Sequence, residues 1–212
     1  MNAIEKLRFS IVKDIFDYTQ LMSVLSDYSK PRDTVTRLIE QKKIIRIKKG
    51  LYIFGDLWRR SPVSLETLAG IVYGPSAISI DYALSLYGLI PEHTHTITSI
   101  TTGRSRQFQT KVGNFSYRQL SVERFSTGLI LQKDNASSWF MVEPLKALAD
   151  KVWTDPRCKP GSANYFNDYL FADLRIDENQ LMSMIEETSV VKIVQAYNTL
   201  KINLLFEFLL TK

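Results

Sequence analysis

The sequence predicts an α+β protein in two parts, a small helix-and-hairpin segment over residues 1–57 and a larger mixed domain over 62–212. Three observations support this. Apolar residues at helical spacing alternate with short β-branched runs in both parts. The stretch Gly55-Asp-Leu-Trp-Arg-Arg-Ser-Pro62 collects turn residues and reads as the boundary. The excess of positive charge belongs entirely to the N-terminal segment.

Residues 1–60 hold 13 Lys/Arg against 7 Asp/Glu, whereas the remaining 152 hold 14 against 15. Residues 30–49 contain Lys30, Arg32, Arg37, Lys42, Lys43, Arg46, Lys48 and Lys49 but only Asp33 and Glu40 as acids. Such a local field suits a polyanion, because neutralised phosphates release condensed counterions. Charge alone fits a solvated basic face equally well, so the element pattern has to decide.

Ile4, Leu7 and Phe9 open the chain as a short helical stretch, and Ile11–Phe16 reads as a brief extended piece. From Asp17, a plausible N-cap, Leu21, Val24 and Leu25 recur at helical spacing. Ser26–Lys30 breaks the pattern. Pro31 then opens a helix to about Lys42, with Ser29 as its expected cap and Val35, Leu38 and Ile39 as its buried stripe. Ile44–Lys48 and Leu51–Phe54 read as two strands joined by a tight turn in which Gly50 supplies a positive φ. Helix, turn, basic helix and basic hairpin in this order predict a winged helix-turn-helix that binds double-stranded DNA. Lys30, Arg32, Thr34, Thr36 and Arg37 are the candidates for the groove, with Lys42, Lys43 and Arg46 beside them and Lys48 and Lys49 at the wing tip. RNA is the lesser alternative, since stacking aromatics on an open sheet are missing. Arg59 and Arg60 read either as solvated linker or as supplementary phosphate contacts. Arg104 and Arg106 read either as solvated loop or as contacts to DNA or a partner.

The second part predicts helices at Ser64–Val72 and Ser79–Tyr87, then strands at Thr96–Thr102, Asn114–Leu120, Gly128–Gln132 and Ser137–Val142, paired antiparallel. Helices return at Glu143–Trp153, Asn167–Leu174, Glu178–Glu187 and Val190–Leu210. The third of these has a capping-box pattern in Asp177 and Gln180. Lys192, Gln195, Asn198, Lys201, Asn203 and Glu207 interrupt the apolar window Val190–Leu210, so no membrane partner is expected. A lone cysteine, Cys158, and no leader-like N-terminus predict a cytoplasmic protein.

Catalytic and cofactor patterns are sparse. His93 and His95 lack a third ligand nearby, so no metal is expected. Cys158 sits in a basic loop that would somewhat favour its thiolate, but a structural or incidental thiol is the stronger reading. Glu143-Pro-Leu-Lys146 differs in spacing and context from a nuclease motif, and the serine-hydrolase, phosphate-loop and dinucleotide signatures do not occur. No enzyme activity and no cofactor are expected. An alternative is a ligand-responsive regulator whose second domain senses a small molecule, with Tyr82, Tyr87, Phe115, Tyr117 and Trp139 as candidate lining residues.

Taken in order, several segments resemble the AbiEi-type antitoxins of bacterial abortive-infection toxin–antitoxin systems. They are Thr34–Ile39, Ile44–Tyr52, Ser79–Ile90, the Thr-rich strand with Gly103-Arg104, Phe115–Arg118 and Glu143–Asp150. The resemblance covers residues 10–153 and rests on the order of the pieces. It implies a cytoplasmic repressor of its own operon that binds repeated sites near the promoter. It also implies a phage-defence role in counteracting a nucleotidyltransferase-type toxin, with or without direct contact. The groove roles of Arg32, Thr36 and Arg37 and the wing roles of Lys48 and Lys49 carry over.

Overall fold

The computed structural model describes residues 1–134 and 137–212. The chain is mixed α and β and divides into two compact units, residues 1–64 with 109–112, and residues 65–108 with 113–212.

The first unit begins with α1 (Ala3–Ser10), β1 (Ile15–Asp17) and α2 (Tyr18–Val24). Asp17 caps α2 by accepting from the Gln20 N–H, and the Gln20 side chain returns to the Asp17 N–H. Then come α3 (Pro31–Glu40), β2 (Ile44–Lys48) and β3 (Leu51–Phe54). The strands form an antiparallel sheet in the order β1-β3-β2. Ile4, Leu7, Leu21, Leu25, Leu38 and Phe54 are among the side chains of its core. Phe9 instead faces solvent, 81% exposed.

Two details of α3 differ from expectation. Its N-cap is Lys30 without a side-chain cap bond, not Ser29, and Pro31 alone supplies the starting φ. The helix also stops at Glu40, because Lys42 adopts a positive φ of 55° that turns the chain into β2. In β2 the register shifts between Arg46 and Lys48. That irregularity lets Ile44 and Ile47, three residues apart, both reach the core while Arg46 stays outside.

The second unit contains α4 (Leu65–Val72), β4 (Ser76–Ile78), α5 (Ile80–Leu86), β5 (Thr96–Thr101), all but the last residue of β6 (Arg106–Gln109), and β7 (Asn114–Gln119). These are followed by α6 (Val122–Ser126), β8 (Leu129–Lys133), β9 (Ser138–Val142) and α7 (Pro144–Thr154). A short helix α8 (Tyr165–Asn167) runs into a π-helical turn over Asp168–Asp173, and then come α9 (Glu178–Ser183), α10 (Glu187–Tyr197) and α11 (Leu200–Leu210).

The six-stranded sheet has the order β6-β7-β5-β4-β9-β8 and is mixed, not antiparallel. β5 and β7 run parallel over six residue pairs, and β4 and β9 are parallel too. The strands β4 and β6 were not visible as sequence patterns. β6 occupies the outer edge beside β7, so β7 lies against β5 in the parallel sense. The expected helix Val190–Leu210 is likewise two helices, parted where Asn198 takes a left-handed φ of 46° and Thr199 starts α11. The expected capping box at Asp177 is half made. Asp177 accepts from the Gln180 N–H, but the Gln180 amide donates to the Tyr87 carbonyl instead.

Among the described residues, no helix is long and apolar enough to cross a membrane.

Candidate nucleic-acid interface

Helix α3 buries Val35 and Leu38 and presents Arg32, Asp33, Thr36, Arg37 and Glu40 on its exposed side. Its ten residues span about 15 Å, enough to lie in a major groove. The Thr36 hydroxyl donates to the Arg32 carbonyl at 3.2 Å, which leaves its oxygen able to accept from a partner. Thr34 is on the wrong side for a groove contact. It is 6% exposed, and its hydroxyl donates to the Lys30 carbonyl at 3.1 Å, because its position falls within the buried stripe. A recess of about 360 Å³ beside the start of the helix is bordered by Tyr28, Lys30, Asp33 and Arg37.

The hairpin closes with Lys48 opposite Leu51, leaving Lys49 and Gly50 as a two-residue turn with Gly50 at φ 85°. Lys49 and Arg46 are exposed. Where β3 ends, a Cβ on Gly55 would overlap the Lys42 carbonyl oxygen, and the Gly55 N–H donates to the Lys43 carbonyl at 2.8 Å. This close approach fixes the segment that carries Lys42 and Lys43.

Among the described residues, some cations of the unit are paired, while others, Lys13 and Lys111 among them, are not. Lys6 pairs with Asp27 at 2.8 Å, Arg8 with Asp14 at 2.6 Å, and Arg59 with Asp56. Lys30, Arg32, Arg37, Lys42, Lys43, Arg46 and Lys49 form no ion pair among the described residues. Their charge is thus not neutralised within the protein. Arg59 and Arg60 are engaged within the unit. Arg59 is held by Asp56, and the Arg60 guanidinium donates to the carbonyls of Val12 at 3.1 Å and Arg8 at 3.4 Å.

The sequence reading missed what holds that segment. Asp14 accepts from the Arg60 and Ser61 N–H groups, the Ser61 hydroxyl and the Arg8 guanidinium. Burial works against its charge, yet these donors together hold its carboxyl below the usual range. Arg8 also lies 4.2 Å from the Phe54 ring centroid. No local motif signals a contact between residues 46 positions apart.

In the second unit, Arg104 and Arg106 are exposed, and Arg106 lies on the strand β6 and not in a loop, 5.7 Å from the Tyr73 ring centroid. The five aromatic residues considered as a pocket lining do not converge. Phe115 and Tyr117 are 1% exposed core residues, and the Tyr117 hydroxyl donates to the Ala69 carbonyl. Tyr82 donates to Glu66 at 2.5 Å and Tyr87 to the Val142 carbonyl at 2.7 Å. Trp139 borders a cleft.

Cys158 is buried, and loss of solvent pushes its thiol up to about 11, against the help of Lys201. The basic loop thus does not favour the thiolate, and the neighbouring Arg157 is taken up by Asp155 at 2.7 Å. Among the described residues, no three His, Cys, Asp or Glu side chains gather as metal ligands.

A buried polar network also went unread in the sequence. Lys146 and Asp150 on α7 are both 0% exposed and pair at 2.5 Å. Asp150 also accepts from the Ser79 hydroxyl at 2.6 Å and from the Tyr197 hydroxyl. Burial pushes the Lys146 ammonium down, opposed by the Asp150 carboxylate, and burial beside that carboxylate pushes the Tyr197 phenol up. The available signal was the run Leu145-Lys-Ala-Leu-Ala-Asp150, where both charges stand in an otherwise apolar helix.

Compared with known proteins, the chain matches no family model and no curated protein.

Proposed function

We propose that the first unit is a winged helix-turn-helix and that the chain is a DNA-binding transcriptional regulator without catalytic activity. The observation that carries this reading is the concentration of exposed cations without an ion pair among the described residues, Arg32 and Arg37 on α3 and Arg46 and Lys49 on the hairpin. A cation already paired within a protein has little to gain from a phosphate, whereas an unpaired one keeps its charge for an external polyanion. In this reading Arg32, Thr36 and Arg37 enter the major groove, and Lys48 and Lys49 contact phosphates from the wing. The finer assignment, an antitoxin that represses its own operon and counteracts a nucleotidyltransferase-type toxin in phage defence, rests on the resemblance of the ordered segments between residues 10 and 153.

The test is equilibrium binding to the fragment upstream of the chain's own gene, measured over a series of salt concentrations. Lys48→Ala/Lys49→Ala should weaken binding to every sequence and lower the salt slope by about 0.9 for each phosphate left without its lysine. Arg37→Ala should cost roughly 1–3 kcal/mol on the preferred site if it reads a base. Unchanged affinity in both variants would sink the DNA assignment. For the finer reading, co-expression with the product of the adjacent gene should relieve that product's toxicity. A neighbour that is not toxic would remove the antitoxin role while leaving DNA binding intact.

A further inference from the structure

The sheet of the second unit parts between β4 and β9. These parallel neighbours share one bridge, Ile78 beside Met141, whereas β5 and β7 stay paired over six residues. Towards the start of both strands, where continued register would set Ser76 beside Trp139, a cleft of about 410 Å³ opens instead. Gly70 and Ile71 of α4, Phe125, Leu129 and Phe140 give it apolar walls. Ile71 and Phe140 are 44% and 56% exposed and form an apolar lip. The volume lies within the range of small-molecule sites, roughly 300–1,000 Å³.

Three buried polar atoms in these walls have no hydrogen-bond partner among the described residues: Ser76 Oγ, Ser99 Oγ and Trp139 Nε1. Ser76 and Ser99 are 8% and 1% exposed. Unpaired buried donors are uncommon in folded proteins, and three among the residues that line one cleft, each covered from solvent, mark groups that a ligand would satisfy once their side chains turn towards it. The serine hydroxyls can turn towards the cleft by rotation about one side-chain bond. Among the described residues the lining contains no Lys, Arg or His, and its one charged residue is Glu66, which accepts from the Tyr82 hydroxyl. An anion would therefore enter without a counter-charge and against a carboxylate.

We propose that this cleft binds an uncharged aromatic molecule bearing a carbonyl or ring-nitrogen acceptor. The ring packs between the α4 wall and Phe140, and the acceptor takes the hydrogen bonds that Trp139 and the serines lack. The site belongs to the second unit alone and stands apart from the DNA-binding reading.

The experiment is calorimetric titration of the full chain, without DNA, using coumarin and 4-quinolone as neutral probes and coumarin-3-carboxylate as the anionic control. At least one neutral probe should bind with a Kd on the order of 100 μM or tighter, and the carboxylate roughly tenfold more weakly. Gly70 borders the cleft and a Cβ on it meets no atom within 4 Å, so Gly70→Leu adds bulk at the cleft wall without displacing backbone and should weaken binding. Trp139→Phe keeps an aromatic ring but removes the N–H, and should weaken binding about fivefold or more. Ser99→Ala should weaken binding while the melting temperature holds or rises, because it deletes an unpaired hydroxyl; a merely structural serine would leave probe affinity unchanged. The proposal is overturned if neither neutral probe binds at millimolar concentration, if the carboxylate binds equally well, or if Gly70→Leu and Trp139→Phe bind like the parent chain.

Discussion

Lys146 and Asp150 stand one helical turn apart on α7, their charged atoms 2.5 Å from each other, and neither side chain has any exposed surface. A buried pair of this kind is costly to break, because removing one partner strands the other charge away from water. Here the carboxylate is the hub. Lys146, Ser79 and Tyr197 all donate to it, so its loss orphans three donors whereas loss of Lys146 leaves two of its bonds intact.

Lys146→Met is accordingly expected to destabilise the protein by about 3–5 kcal/mol, and Asp150→Leu by more. The double variant should cost less than the two single changes added together. Urea unfolding measures all three. Strict additivity would show that the pair is not coupled.

Acid should attack the Asp14 and Asp155 clusters. Both carboxyls sit below their ordinary value of 3.8 in the folded protein, Asp155 chiefly through its hydrogen bonds from Arg157. A lowered folded value means stability that is fully present above the unfolded value and is lost as pH falls through 3.8 towards the folded one. Asp14→Asn should therefore lower stability at pH 7 and flatten its fall between about pH 5 and 2. A variant whose acid unfolding curve overlays that of the parent would contradict the assignment.

The hairpin's geometry rests on two glycines for different reasons. Gly50→Ala places a side chain at φ 85° and should cost about 1–2 kcal/mol. Gly55→Ala drives a Cβ into the Lys42 carbonyl and should cost more, since backbone has to move. Thermal denaturation ranks the two. The reverse order would mean that the end of β3 relaxes easily.

Native Cys158 should react slowly with a disulfide reagent at pH 8. A thiol raised from 9.0 to about 11 holds about a hundredfold less thiolate, and burial slows access further. Rapid stoichiometric labelling of the folded protein would show that the loop opens.

The first unit was the more legible in sequence because its signals are local. Asp17 with Gln20, Pro31 at a helix start and Lys49-Gly50 between two β-rich runs each specify structure within a few residues. Thr34 shows the limit of such reading. Its residue type suits a groove, but it falls within the buried stripe of α3 alongside Val35 and Leu38. The mixed sheet was less legible. β4 is three residues long and buried throughout, with no alternation to reveal it, and β5 and β7 pair around an intervening edge strand.

The sequence by itself determined where the charge lies and most of the helices, because composition and apolar spacing act over short range. Only the tertiary structure decided which cations lack a partner, that Asp14 gathers Arg8 with Arg60 and Ser61, and that Lys146 meets Asp150 away from water. It also decided where the sheet opens around Trp139. Those features depend on contacts between residues up to 71 positions apart, such as Ser79 with Asp150, and no pattern along the chain encodes such a distance.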